Sequence, residues 1–346
     1  MKFKRKLIIF MVVGFIFEIC VLYYIDRFYL SKRENYTIEL VEKNNLNKNF
    51  NITVPKEAKN IKLSHDGKYI SYYFESKLYI TDTETGKENY INFDDVYKLS
   101  YYKWLSDRNR MLLIENKVID DKKELKLSYY DSDNNVKKDV FDFAKVDNKS
   151  YVSDIQMSTL TNIIYIKVNH VGDRCSIYRI DISNNIQRVK TKHFFINNIA
   201  ELVHEDKLIY EDDVYHNIFV VNNILKYNKK IQFQENEGYV LIGVDKSDNI
   251  YVGKLQNKYN NKIVKIYYGN YKTETSNWNS IKLDFPTYKS NIYIQNDGTI
   301  LEKIPIESII VNLNDGKKYK YKGAFLQIYD KGIASIFDSK LIKTEI

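Results

Sequence analysis

One hairpin pattern recurs six times along this chain of 346 residues, and its spacing restricts the fold more than any other feature. Each copy is an apolar strand, a turn of Asp, Asn or Gly, and then a polar strand. The copies read LYITDTETG ending at Gly86, LSYYDSDNN ending at Asn135 and IYRIDISNN ending at Asn185. They continue as IFVVNN ending at Asn223, KIYYGN ending at Asn270 and IIVNLNDG ending at Gly316. Successive turns lie 49, 50, 38, 47 and 46 residues apart. A four-stranded unit repeating every ~40–50 residues is the pattern of a β-propeller blade. The 31 Tyr and 17 Phe favour strands, while the turns must be made with few glycines (12) and prolines (3). Asn and Asp take over, because both tolerate left-handed backbone and bond their own main chain.

Blade 1 can be read strand by strand. Residues 61–64 form the inner strand and His65-Asp66-Gly67 the turn. Residues 68–74, 77–82 and 88–91 form the next three strands. The C-terminal stretch FLQIYDKGIASIFDSKLIKTEI repeats this layout but stops after three strands. The missing fourth is supplied by FNITV, from Phe50 to Val54, so both chain ends build one blade and no sheet edge stays open. The expected fold is all-β: a propeller of seven blades, with six or eight left open by the short repeat at Asn223 and the loose pattern over 226–290.

Blade 1 also carries a family resemblance. Ser64-His65-Asp66-Gly67-Lys68-Tyr69-Ile70, followed by Leu78-Tyr79-Ile80-Thr81-Asp82-Thr83-Glu84-Thr85-Gly86-Lys87, resembles the WD40-like repeat of TolB. It is also similar to the propeller of dipeptidyl-peptidase IV relatives, with His65 where those have Pro. The resemblance implies fold and carries almost nothing about function. In those peptidases an α/β-hydrolase domain does the chemistry, and no Gly-x-Ser-x-Gly elbow occurs in this sequence.

Other chemistry is equally hard to find. There is no Cys-x-x-Cys, His-Glu-x-x-His or Walker loop. His65, His170, His193, His204 and His216 follow no ligand spacing, and His65 and His170 fall at turns where a solvated side chain is expected. Asp131, Asp133, Asn135, Asp139 and Asp142 imitate a calcium loop, but Val136 replaces the required glycine and the last ligand is not Glu. A solvated turn is the expectation there, and no metal or cofactor is expected anywhere. Lys317, Lys318, Lys320 and Lys322 alternate with Tyr319 and Tyr321. They read as an outer strand guarded against edge pairing, ahead of a stripe for acidic polymer.

The N-terminus sets the expected location. Lys2, Lys4, Arg5 and Lys6 precede an apolar run from Leu7 to Ile25, ~28 Å as a helix and close to one hydrocarbon core. No small residues mark a signal-peptidase site, and Ile19 before Cys20 disfavours a lipoprotein. The reading is a signal-anchor over residues 1–33, a linker over 34–49 and a propeller over 50–346, with the N-terminus cytoplasmic and the propeller in the cell envelope. Glu18 falls within the apolar run, where a carboxylate is costly, and is either tolerated or paired with a partner helix. The charge of +8 includes +4 in the first 34 residues, so the body has no nucleic-acid footprint. Cys20 and Cys175 cannot form a disulfide within the propeller.

Turns between third and fourth strands are short, whereas the opposite end is expected to carry long connections at 116–124, 226–238, 257–262 and 273–290. Tyr259, Trp278, Phe285 and Tyr288 on these connections are the candidate binding residues. The expected function is a non-catalytic scaffold or ligand-sensing module for an envelope protein or cell-surface polymer. The alternative is a glycan-active hydrolase or lyase at the channel, which needs convergent carboxylates. Asp94, Asp154 and Glu201 are the acids whose convergence would decide it.

Overall fold

The computed structural model describes residues 2–25 and 51–346, apart from 94–95, 224–226, 235–236 and 258–259. The linker over 34–49, Tyr259 and Asp94 therefore lie outside the described residues. The chain divides into two units, Met1–Lys48 and Asn49–Ile346.

The first unit contains one helix, α1 (Lys2–Ile25). Among the described residues no helix is long and apolar enough to cross a membrane. The anchor expected from Leu7 to Ile25 is thus unsupported at this level. Within α1, Glu18 is exposed.

The second unit is a seven-bladed propeller. Blade 1 comprises β1 (Lys59–Leu63), β2 (Tyr69–Phe74), β3 (Lys77–Asp82) and β4 (Glu88–Asn92). Blade 2 comprises β5 (Lys98–Trp104), β6 (Arg110–Ile119), β7 (Lys122–Asp131) and β8 (Val136–Asp147). Blade 3 comprises β9 (Tyr151–Ser158), β10 (Ile163–Asn169), β11 (Cys175–Ile180) and β12 (Ile186–Arg188). Blade 4 comprises β13 (Ile196–Glu201), β14 (Lys207–Asp212), β15 (Ile218–Asn222) and β16 (Tyr227–Lys230). Blade 5 comprises β17 (Tyr239–Val244), β18 (Ile250–Asn257), β19 (Asn260–Gly269) and β20 (Asn279–Tyr288). Blade 6 comprises β21 (Ile292–Ile294), β22 (Ile300–Ile304), β23 (Ile309–Asn312) and β24 (Lys318–Lys320). Blade 7 has three strands, β25 (Ala324–Tyr329), β26 (Gly332–Phe337) and β27 (Lys340–Glu345).

The ring closes where the sequence places the closure. Thr53 bridges Lys340. Val54 N–H donates to the Ser339 carbonyl at 2.8 Å, and Leu341 N–H to the Ile52 carbonyl at 2.9 Å. Ile52 and Val54 are buried. The fourth strand of blade 7 is only this isolated bridge, shorter than the five residues expected, and Phe50 is outside the described residues.

Turn chemistry explains how so few glycines suffice. The Asp82 carboxylate accepts the amides of Glu84 and Thr85. Asp181 accepts those of Ser183 and Asn185, and Asp245 those of Ser247 and Asn249. Each carboxylate replaces a main-chain partner and bends the chain locally. At His65-Asp66-Gly67 the glycine is needed, with φ +74° and the Tyr329 ring where a Cβ would stand.

No single core exists. The buried apolar residues form seven clusters, one at each blade-to-blade interface. Met111 and Leu113 pack on Leu78 and Ile80 between blades 1 and 2, and Ile333 packs on Leu301 and Ile310 between blades 6 and 7.

Two expected long loops are strands instead. Residues 116–124 belong to β6 and β7, which pair as far as Ile119 and Lys122 around a two-residue turn. Most of 273–290 is β20, paired with β19. Their polar residues mimic loop composition because both stretches are solvated, at the hairpin tip beside exposed Val118 and in the β20 bulge that holds exposed Phe285.

Candidate functional site

The inner strands β1, β5, β9, β13, β17, β21 and β25 surround the channel. Six of the seven carry a register shift against their neighbour. A bulge turns main-chain groups out of the ladder, and these need partners. Side chains from adjacent blades supply some of them. The Tyr102 hydroxyl in β5 donates to the bulge carbonyl of Asn60. The Lys167 ammonium in β10 donates to the bulge carbonyl of Asn197 at 2.5 Å.

Two more lysines reach around the ring in the same way. Lys62 Nζ in β1 donates to the Tyr102 carbonyl at 2.7 Å, and Lys103 Nζ in β5 donates to the Ile155 carbonyl at 2.6 Å. Lys289, in a 3-10 turn ahead of β21, donates to Asn198 Oδ1. Among the described residues, only Lys103 of these four has a carboxylate within 4 Å, Asp154 at 3.4 Å. Burial holds Lys62 down to about 8, helped by the charge of Lys103. Burial also holds Lys289 down to about 8, against the opposing pull of Glu211 and Asp154.

A cavity of about 250 Å³ opens beside Lys289 between blades 4 and 5, where the inner strands begin. It is lined by Asn197, Asn198, Glu211, His216, Tyr288 and Lys289, among others. Glu211 is fully buried. Its Oε1 accepts Asn197 Nδ2 (3.2 Å) and faces His216 Nδ1 (3.4 Å). Its Oε2 accepts Asn198 Nδ2 (2.6 Å) and the Leu241 amide (3.1 Å). The Glu211 carboxylate raises the pKa of His216.

A second cavity, about 220 Å³, lies where the inner strands end, lined by residues of five blades including Lys103, Trp104, Ser158, Glu201, Asp245 and Asn296. Glu201 accepts the Ser158 amide at 3.0 Å, and burial with repulsion from Asp206 pushes it up to about 9. Asp245 is occupied by the amides of Ser247 and Asn249, the Asn249 side chain and the Tyr251 hydroxyl. The largest cavity described, about 490 Å³, lies at the rim of blades 4 and 5 beside Phe233, Tyr271 and Lys272, away from the channel.

The candidate binding residues do not meet. Trp278 is buried at the start of β20, edge-on to Phe233, with its Nε1 bonded to the Asn270 carbonyl at 3.1 Å. Phe285 (78% exposed) and Tyr288 (52%) stand on the same strand toward its far end. Trp278 and Tyr288 are thus ~20 Å apart along the sheet, since β20 bulges between Lys282 and Thr287. Tyr288 alone reaches a channel-side cavity. Asp154 is not among the residues lining the cavity that holds Glu201; it bonds Lys103, the Ile155 amide and Gln156.

The calcium-like acids diverge, Asp131 onto Arg110, Asp133 onto Lys68 and Asp139 onto Lys126. Among the described residues no cluster of three His, Cys, Asp or Glu could hold a metal. His170 is not the solvated turn residue expected: its ring lies between the hydroxyls of Ser150 (2.9 Å) and Ser176 (2.8 Å), and burial lowers its pKa. The Lys317 stripe lies on β24, an outer strand. Sequence reading missed Lys62, Lys103, Lys167, Lys289, Glu211 and His216. The one available signal was a lysine recurring before the last apolar residues of the inner strand, in NIKLS and YYKWLS.

No protein-family model and no characterised relative matches the sequence. The fold is similar to solved propellers. A catalytically inactive variant of virginiamycin B lyase from Staphylococcus aureus, with quinupristin, has TM-score 0.55 and 13% identity, over 86% of this chain and 98% of that one. The selenomethionine form of that lyase gives 0.53 and 13%, over 83% and 94%. Dipeptidyl peptidase 4 from Porphyromonas gingivalis gives 0.48 and 11%, over 83% of this chain and 45% of that one. Identities this low extend to the propeller fold and not to chemistry.

Proposed function

We propose that the propeller is a non-catalytic binding module, a scaffold or ligand sensor of the cell envelope. The observation that supports this most is the condition of the acids at the channel. A glycan-cleaving site needs two carboxylates free to flank the bond, ~5–9 Å apart. Glu201 and Asp245 share a cavity, yet Glu201 is occupied by the Ser158 amide of the neighbouring blade and Asp245 by the amides of its own turn and the Tyr251 hydroxyl. Glu211 is surrounded by four donors. A rigid ring with its acids committed and exposed aromatics such as Phe285 suits recognition. The envelope location rests on the sequence alone, on the basic cluster before the run from Leu7 to Ile25, as does a partner helix for Glu18.

Cross-linking of intact cells followed by purification of the tagged full chain tests the reading. An envelope protein or polymer is expected to co-purify, and a Phe285→Ala, Tyr288→Ala double variant to lose it while melting normally. Release of sugar fragments from cell-wall polymer by the purified chain, lost in Asp154→Asn, would replace this reading with an enzyme.

A further inference from the structure

The balance of charge around the channel is uneven. Lys62, Lys103, Lys167 and Lys289 face two acids, Asp154 and Glu211. Both acids are already engaged by protein donors. Lys167 is buried at 6% exposure, with a carbonyl as its hydrogen-bond partner. Withdrawing such charges from water costs free energy unless an opposite charge offsets it. An ammonium has three donors, and Lys289 spends one on Asn198 Oδ1. The cavity beside it holds ~8 waters' volume, room for a phosphate-sized group with solvent. The one acid among its described lining residues, Glu211, has both oxygens engaged by protein donors, and Lys289, Ser290 and Tyr288 line the same cavity.

We propose that this cavity binds an oxyanion, a phosphate or carboxylate group, with the Lys289 ammonium as its principal donor and Lys62, Lys103 and Lys167 supplying the surrounding field. This deepens the binding-module reading by naming its ligand chemistry. With Lys289 held near 8, its ammonium is still largely charged at pH 7.

The test uses the full chain in neutral detergent at pH 7 and constant ionic strength, with sodium chloride as reference. Inorganic phosphate, dimethyl phosphate and acetate are titrated separately, read by thermal melting and by NMR of lysine Nζ. At least one should raise the melting temperature above the chloride reference and shift the Lys289 signal. Dimethyl phosphate as the best ligand assigns a phosphodiester polymer, inorganic phosphate a free phosphate, and acetate a carboxylate. Lys289→Met should weaken binding about tenfold or more, while Lys289→Arg and the rim variant Lys229→Met retain it. If Lys289→Met does not fold, the Lys289 Nζ shift in the unaltered chain decides. No response to any of the three anions, or an unchanged response in a folded Lys289→Met, overturns the proposal. If no envelope partner co-purifies with the unaltered chain although it binds the anion, the partner reading falls and this site stands.

Discussion

Trp278 shows how a single residue changes meaning once its surroundings are known. Its ring occupies the space where Gly269 has no side chain; a Cβ there would lie 2.6 Å from the indole. That close packing makes it an interface residue between blades 4 and 5, next to Phe233 and Tyr239. Glu201 is a second case. Its carboxyl is held at about 9 by burial, against 4.5 for the ordinary group. Between these values the folded chain keeps a proton that the unfolded chain has released. Stability contributed by this group therefore falls as pH rises from about 4.5 to 9. Glu201→Gln keeps the shape and the acceptor for the Ser158 amide but removes the titration. Its melting temperature should match the parent near pH 4.5 and exceed it increasingly up to pH 9, by a margin worth a few kcal/mol. Parallel melting curves at all pH values would show that Glu201 ionises normally in the fold.

Among the elements, the closing strand of blade 7 is the shortest and the most consequential. One bridge at Thr53 and two flanking hydrogen bonds join the chain ends, and two buried side chains, Ile52 and Val54, pin them. Without them the outer edge of β27 is unpaired, and exposed edges recruit other chains. A chain beginning at Lys56 should form higher oligomers in light scattering and melt earlier than the parent. A monomeric truncation with the parent's melting curve would mean that the bridge is dispensable. Inner-strand bulges act differently: they turn main-chain oxygens out of the ladder, and the carbonyls of Asn60 and Asn197 are each met from an adjoining blade. The same lysines that knit the blades together therefore also make the channel basic.

For the whole molecule, seven interfaces in a closed circle mean that no blade buries its faces alone, so the ring should fold as one cooperative body. Where that body resides is a question for its first residues. Under the proposed envelope location, the cluster Lys2, Lys4, Arg5 and Lys6 ahead of an apolar run would keep the N-terminus cytoplasmic. Protease added to intact protoplasts should then degrade the chain, and disruption of the membrane should add little. Full protection until the membrane is opened would place the propeller inside. Recovery in the soluble fraction would remove the tether.

What the sequence determined by itself was everything written in short-range pattern. Alternation of apolar and polar residues identified the strands of blade 1, and Asp and Asn at fixed offsets located their turns, because both effects act within a few residues. The period of about 46 residues and the unfinished last repeat then implied seven blades closed by the N-terminal segment. The tertiary structure alone decided which side chains meet. Lys62, Lys103, Lys167 and Lys289 come from separate parts of the ring, and beyond the recurrence of NIKLS in YYKWLS nothing in the chain announces that the fold brings them together. It also separated Trp278 from Tyr288, and turned two polar stretches from loops into strands. Composition cannot tell a loop from a hairpin tip, since both are solvated, and only pairing across the sheet makes the difference.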